Sequence, residues 1–437
     1  MSLAVLLLGQ RPLLAYSVQT HEQLIDLNWK GAIKPFILRR FPHATEAELE
    51  RAHAYAYGGC AIQDLGYYPF SNEFFSNLTH YVRSGDFVRN LFQEAKNPDE
   101  LAFAIGALSH YVGDTAGHLR AINPAVAVEF PNLAKEYGPS VTYDENPHAH
   151  VRTEFAFDIN EISKHRMAPS AYLRRIGLRV PPATLARAFY HTYGLDFQHV
   201  LGDRRPVVRG YRFAVRSFLP RIAYAEALLH RHDFPPDTPN TAFQIFQGHL
   251  AEADFEKGWN QYRKKPGFRT YLLAGIIVIL PKLGPLSMLA IRGPTPQTHQ
   301  WYVQSVNAAT DELQRLLKAG NRSPSSLPNR DLDTGEKVRP GAYPLTDQTY
   351  AKLLNALTRQ PLQRLPAGLK QDVLDYYADP QAPISTKRNR DQWAKVQKQL
   401  DVLRRMAVLA EEASEEVQTG HMSKRTEGVS GKARFTN

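Results

Sequence analysis

Helix signals dominate the pattern of apolar and polar positions along this chain; two-residue alternation is rare and no hairpin signal stands out. Start chemistry accompanies that pattern. Thr20-His21-Glu22-Gln23 and Thr45-Glu46-Ala47-Glu48 each place a hydroxyl three residues ahead of a Glu or Gln, the spacing that satisfies orphan amides reciprocally at a helix N-terminus. Asn97-Pro98-Asp99-Glu100 sets a capping Asn before a first-turn Pro and acidic residues, and Asn146-Pro147 repeats that start. The pattern predicts an all-α, multi-helix protein. Further helices are expected at 223–230, 241–259, 345–360 and 391–413, with an Arg- and aromatic-rich loop at 203–218 and a polar loop over 321–343. No internal repeat is present, and the tail from Ser414 reads as disordered.

The most apolar stretch, Tyr271–Ile291, approaches the length of a membrane span but is interrupted by Pro-Lys-Leu-Gly-Pro. It predicts buried core or a helical hairpin, with membrane-surface contact and a true span as the alternatives. Residues 1–15 resemble a signal peptide, with an apolar run at Leu3–Leu8 and a small-residue edge at Ala15; the basic start of such a leader is missing. The expected organisation is a leader over 1–15, a main domain over 16–265, a helical region over 266–413 and a tail over 414–437. A secreted or periplasmic location follows from the leader.

Charge changes the picture. The net charge is +10, yet residues 1–160 carry 12 Lys/Arg against 18 Asp/Glu, and the remainder 41 against 25. An acidic front suits divalent cations, and the basic remainder suits either a phosphate-bearing surface or plain solvation. Cys60 is the single cysteine, so disulfides and multi-cysteine zinc sites are excluded, and a metal would be held by His and carboxylate.

Half of the 16 histidines lie within 1–160. In Ser109-His110-Tyr111-Val112-Gly113-Asp114-Thr115-Ala116-Gly117-His118, His110 and Asp114 share one helical face, and His118 continues the line where Gly117 is expected to end the helix. His150 and Glu154 form a second pair one turn apart. Asp64, His80 and His21 add a carboxylate and two imidazoles. Each has a bland reading: a lone His or Asp is usually a structural hydrogen-bonding residue, and His150/Glu154 alone could be a surface pair. The concentration in one helical region, with no HExxH, Walker loop or nucleophile elbow to compete, favours metal.

The order Tyr16, His21, Asp64, His80, His110-x3-Asp114-x3-His118, His150-x3-Glu154, with the phrases GGCAIQDLGYYPF, THYVRSGDF and LSHYVGDTAGH, resembles the zinc-dependent phospholipase C family, whose fungal relatives are single-strand-specific zinc nucleases. The resemblance covers about residues 16–160. It implies three zinc ions. Asp64, His80, His110 and Asp114 would surround the first, and His118, His150 and Glu154 the second. His21, a bridging Asp114 and the freed amino terminus at Tyr16 would hold the third. It implies hydrolysis of a phospholipid headgroup ester, with Asp64 orienting or deprotonating the attacking water. Two departures stand out: Tyr16 replaces the family's usual Trp, and the gap between Asp114 and His118 is shorter than usual. A nuclease acting on nucleic acid, and a binding protein with structural zinc, are the competing readings. No obligate protein partner is evident.

Overall fold

The computed structural model describes residues 18–68, 70–230, 234–263, 267–279, 291–320, 324, 327–359 and 364–408. The expected leader, Tyr16, the tail from 414 and positions 280–290 of the apolar stretch lie outside them. Among the described residues every regular element is helical, and the only β contacts are isolated bridges at Arg330–Lys337 and Leu365–Val408. The fold is all-α, as the apolar pattern predicts.

The elements that build the site are α1 (Val18–Asn28), α2 (Glu46–Gly59), α3 (Glu73–Tyr81), α4 (Pro98–Gly117) and α5 (Pro147–Ser163). After residue 265 come α6 (Phe268–Ile279), α7 (Pro296–Ala319), α8 (Pro344–Thr358) and α9 (Arg390–Arg405). The caps follow local chemistry. Thr45 and Glu48 close the expected capping box on α2, the Asn97 side chain accepts from Glu100 N on α4, and Asn146 Oδ1 accepts from Ala149 N on α5.

Three local expectations are corrected. Thr20 lies inside α1, and its backbone N and hydroxyl donate to Asp158 of α5 at 3.1 and 2.6 Å, so a distant carboxylate replaces the local box. Positions 203–218 are not a loop. Asp203 caps a helix over Arg204–Phe213 that runs into a π turn over Ala214–Phe218. Nor does Gly117 end α4: the chain continues through a π turn at His118–Ile122 into a helix over Asn123–Glu129. Gly117 is helical (φ −65°), so its lack of a side chain is not used to stop the helix. Such π turns recur at functional sites because the extra residue re-aims the side chains that follow.

Packing then brings the helices together. A Cβ on Gly106 of α4 would stand 2.2 Å from the Ala56 carbonyl oxygen, and one on Gly59 of α2 would stand 2.1 Å from the Phe103 carbonyl oxygen. Glycine at both positions lets the two backbones touch, which sets the Cys60 carbonyl beside His110. One continuous apolar core runs from Val18 to Met406, with residues from both sides of position 265. α7 lies against α1, α4 and the π turn, and α8 against α3. Beneath α6 is a smaller cluster in which Ala274 and Ile277 meet Ile159, Ala223 and Ile291. The other face of α6 is exposed and apolar: Phe268 (80% exposed), Tyr271, Leu272, Ile276 and Ile279 (83%) fall at spacings of three, one, four and three.

Candidate metal centre

Each candidate ligand is held by backbone chemistry around it. Asp64 sits on a 3₁₀ turn, Gln63–Tyr67. That turn is pinned by Gln63 Nε2 donating to the Ala107 carbonyl and by the hydroxyls of Ser76 and Thr79 donating to the Gln63 carbonyl. Gly66 N donates to Ser76 Oγ at 2.8 Å, and a Cβ there would stand 2.5 Å from the Asn72 carbonyl oxygen, so only glycine admits this turn against α3. His80 ends α3, His110 and Asp114 lie on α4, His118 opens the π turn, and His150 and Glu154 share a face of α5. His21 comes from α1, which approaches α4 at Gly113; a Cβ there would lie 3.3 Å from His21 Nδ1.

The structure gathers these eight side chains, each no more than 1% exposed, in the interior. Tyr16 lies outside the described residues. Three groups of ligand-type atoms converge: His21, His110 and Asp114; Asp64, His80 and His110; and His118, His150 and Glu154. His110 belongs to both of the first two, and Asp114 of the first also approaches His80 of the second. Its Oδ1 is 3.2 Å from His21 Nε2, and its Oδ2 is 2.9 Å from His110 Nε2 and 3.5 Å from His80 Nε2. Asp64 Oδ1 is 3.4 Å from His80 Nε2 and 4.0 Å from His110 Nε2. In the third group Glu154 Oε1 stands 2.8 Å from His150 Nδ1 and 3.6 Å from His118 Nε2. The short gap from Asp114 to His118 is absorbed by the π turn, which carries His118 to the α5 pair.

Proton accounting shows what this arrangement needs. A carbonyl oxygen only accepts, so His80 Nδ1 donates to the Ser76 carbonyl (2.8 Å), His110 Nδ1 to the Cys60 carbonyl (3.0 Å) and His118 Nδ1 to the Leu332 carbonyl (2.6 Å). The Asn123 amide donates to the Asp333 carbonyl, so its oxygen faces His150 and His150 Nε2 must carry a proton. The neutral rings therefore turn bare nitrogens toward one another and toward carboxylates. The Nε2 atoms of His80 and His110 are 3.4 Å apart. Both oxygens of Asp64, Asp114 and Glu154, with His118 Nε2 and His150 Nδ1, are buried without a hydrogen-bond partner. Burying that much lone-pair density with nothing positive between is costly. A divalent cation fits it: the donors are imidazole nitrogen and carboxylate oxygen, the set zinc takes, and the outer ring nitrogens are oriented as those of metal-binding histidines are. Cys60 contributes no ligand, since its thiol points to the Tyr57 carbonyl.

Without a cation, protons do part of this work. Burial disfavours the charged forms of His80 and His110, but Asp114 and Asp64 outweigh it and push both rings above their ordinary value. Burial also opposes ionisation of Asp114, yet His110, His21 and His80 hold its carboxyl well below the usual range. Burial, then His118, pushes His150 well down, and burial, then Asp114 and Asp64, pushes Glu154 well up. His21 is lowered by burial and by His110, on which its ring stacks at 4.3 Å.

The partners that orient these rings were not legible in the sequence. Leu332 lay in an expected loop, nothing singled out Asn123, and the Ser76 and Cys60 carbonyls carry no residue-type signal at all. No curated protein and no solved structure is similar enough to this chain to match it. Residues 20–198, which contain all eight gathered side chains, match the family model described as zinc dependent phospholipase C. That segment is similar to the zinc-dependent phospholipase C family, and the match supports the resemblance carried by the motifs.

Proposed function

We propose that this chain is a phospholipase C that hydrolyses a phospholipid headgroup ester, releasing diacylglycerol and a phosphorylated alcohol. The observation that carries the reading is the convergence of imidazole nitrogens and carboxylate oxygens in three groups, with the outer ring nitrogens of His80, His110 and His118 donating away from them to carbonyls. The residues that would hold zinc are those of the three groups, with His21 and Asp114 joined by the amino terminus freed at Tyr16 once the expected leader is removed. Bound zinc supplies Lewis-acid charge for the anionic phosphoryl oxygens and lowers the pKa of water toward neutrality. Asp64 is the residue to hold and deprotonate the attacking water. Its carboxylate approaches His80 and His110 at 3.4 and 4.0 Å, whereas Asp114 lies within 3.5 Å of three histidine nitrogens. The hydroxyl joins phosphorus, the bond to the glycerol oxygen breaks, and that oxygen takes a proton.

The exposed apolar face of α6 supports contact with the lipid surface, and no helix among the described residues is long and apolar enough to cross a membrane. Export follows from the leader reading. The test is elemental analysis of the purified protein beside turnover of a chromogenic phosphocholine ester, with and without chelator, and with single-stranded DNA as a parallel substrate. Bound zinc, chelator-sensitive ester turnover and an inactive Asp64→Asn protein that keeps its zinc support the reading. Cleavage of DNA in place of the ester moves the substrate to the nuclease reading, and absence of zinc removes the metal centre.

A further inference from the structure

The segment Leu327–Tyr343 lies outside the family-matched residues, yet it reaches the ligands of two different groups. Leu332 N donates to the His80 carbonyl at 3.1 Å, and the Leu332 carbonyl accepts from His118 Nδ1 at 2.6 Å. One residue thus fixes the end of α3, which carries His80, and sets the proton position on the His118 ring. Its neighbour Asp333 anchors it. Asp333 Oδ2 accepts from Tyr81 OH on α3 and from Tyr343 OH, both at 2.8 Å, and the Asp333 carbonyl accepts from Asn123, whose oxygen holds His150. Tyr343 OH in turn accepts from Asp144 N.

The turn itself is built to stay in place. Asp331 Oδ1 accepts from the amides of Asp333 and Thr334, and Oδ2 accepts from Thr346 Oγ1 of α8. Gly335 closes the turn at φ +71°, and a Cβ there would stand 2.5 Å from the Thr115 carbonyl oxygen, next to Asp114 on α4. Glycine is needed here twice, for the left-handed backbone and for the close approach. The side chains of Leu332, Asp331 and Asp333 are buried.

We infer that residues 331–335 are a clamp from the C-terminal region that positions His80, His118 and, through Asn123, His150, so that the family segment alone does not complete its own metal centre. Asp333 is a positioning residue: it acts through Tyr81 and the Leu332 peptide. The inference rests on the metal-centre reading. Outer hydrogen-bond partners of metal-binding histidines are typically worth about 10–100-fold in metal affinity.

The experiment measures zinc transfer from the full-length protein to a chromogenic zinc chelator, beside thermal unfolding, for wild type, Asp333→Ala and Asp372→Asn. Asp372 is a half-buried control elsewhere in the C-terminal region, where it accepts from Tyr350 OH at 2.9 Å. The expected result is that Asp333→Ala holds zinc about 10–100-fold more weakly. Asp372→Asn lowers the unfolding temperature and keeps wild-type zinc affinity. Should Asp333→Ala not fold, Asp333→Asn, which keeps shape and one acceptor, and Gly335→Ala, which pushes the turn off α4, carry the test with smaller losses of affinity. Wild-type zinc affinity in the folded Asp333 and Gly335 variants overturns the clamp while leaving the metal centre standing. A wild-type protein that binds no zinc overturns both.

Discussion

On α1, His21 and Asp26 belong to two buried histidine–carboxylate clusters with opposite construction. Around Asp26, protons connect the groups: Tyr57 OH donates to Oδ1 and Oδ2 at 2.7 and 2.8 Å, and His53 Nε2 lies 3.1 Å from Oδ1. The His53 ring is stacked on Trp29 at 4.1 Å. Burial, then Asp26 and Asp158, pushes the carboxyl of neighbouring Glu22 well up, which favours its neutral form. Around His21 and Asp114 the hydrogens point outward to carbonyls and the bare atoms point inward. Burial and residue type are the same in both clusters. What separates a structural histidine–carboxylate pair from a ligand set is where the protons lie, and that is decided by the atoms behind the rings.

Substituting the shared carboxylate should have the largest effect. Asp114→Ala removes the carboxylate that His21, His110 and His80 all approach, at a cost of about 3–5 kcal/mol. It is expected to lose most bound zinc by elemental analysis. Full zinc retention would mean the inward-facing atoms are not ligands and would erase the contrast. Asp26→Asn is the counterpart. Disturbing the Tyr57 and His53 contacts should cost about 1–3 kcal/mol in thermal or denaturant unfolding, with zinc content unchanged. Equal zinc loss in both variants would show that the two clusters are not distinct.

A third effect is graded with pH. His80 and His110 sit above their ordinary value near 6.5 in the metal-free protein. The stability they contribute is complete below that value and is lost as pH rises through the raised one. Glu154, also raised, costs stability as pH climbs above its ordinary 4.5. Zinc has to displace these protons, so its binding strengthens over the same interval. The gap in unfolding temperature between zinc-loaded and chelated protein is therefore expected to widen as pH rises above about 6.5. A gap that narrows would contradict the site as built. The smallest effect on the fold should come from Ile276→Lys on the exposed face of α6, within about 0.5 kcal/mol in stability. Zinc content should stay unchanged while binding to phosphatidylcholine vesicles falls. Undiminished vesicle binding would remove this face from the lipid contact.

Much of the fold was legible because it is local. The capping box at Thr45 and the starts at Asn97 and Asn146 depend on residues within four positions of one another, and the chain places helices where they say. Thr20 misled because its hydroxyl found Asp158, 138 positions away, before any local amide. The stretch at 203–218 misled because charge and aromaticity are compatible with an amphipathic helix as well as with a loop. Gly117 misled because a glycine ends a helix when it turns left-handed, and here a π turn lets it stay helical.

The sequence by itself determined the all-α class and the two pairs, His110 with Asp114 and His150 with Glu154, because a spacing of four on a helix of 3.6 residues per turn aligns side chains whatever surrounds them. Tertiary structure alone decided that Asp64, His80 and His21 join those pairs, that His118 turns toward α5, and that the Leu332 carbonyl, 214 positions from His118, sets the proton on that ring. The reason is the reach of each interaction. Helical periodicity is written in near neighbours, whereas the tautomer of a buried imidazole is set by whichever backbone oxygen the folded chain brings behind it.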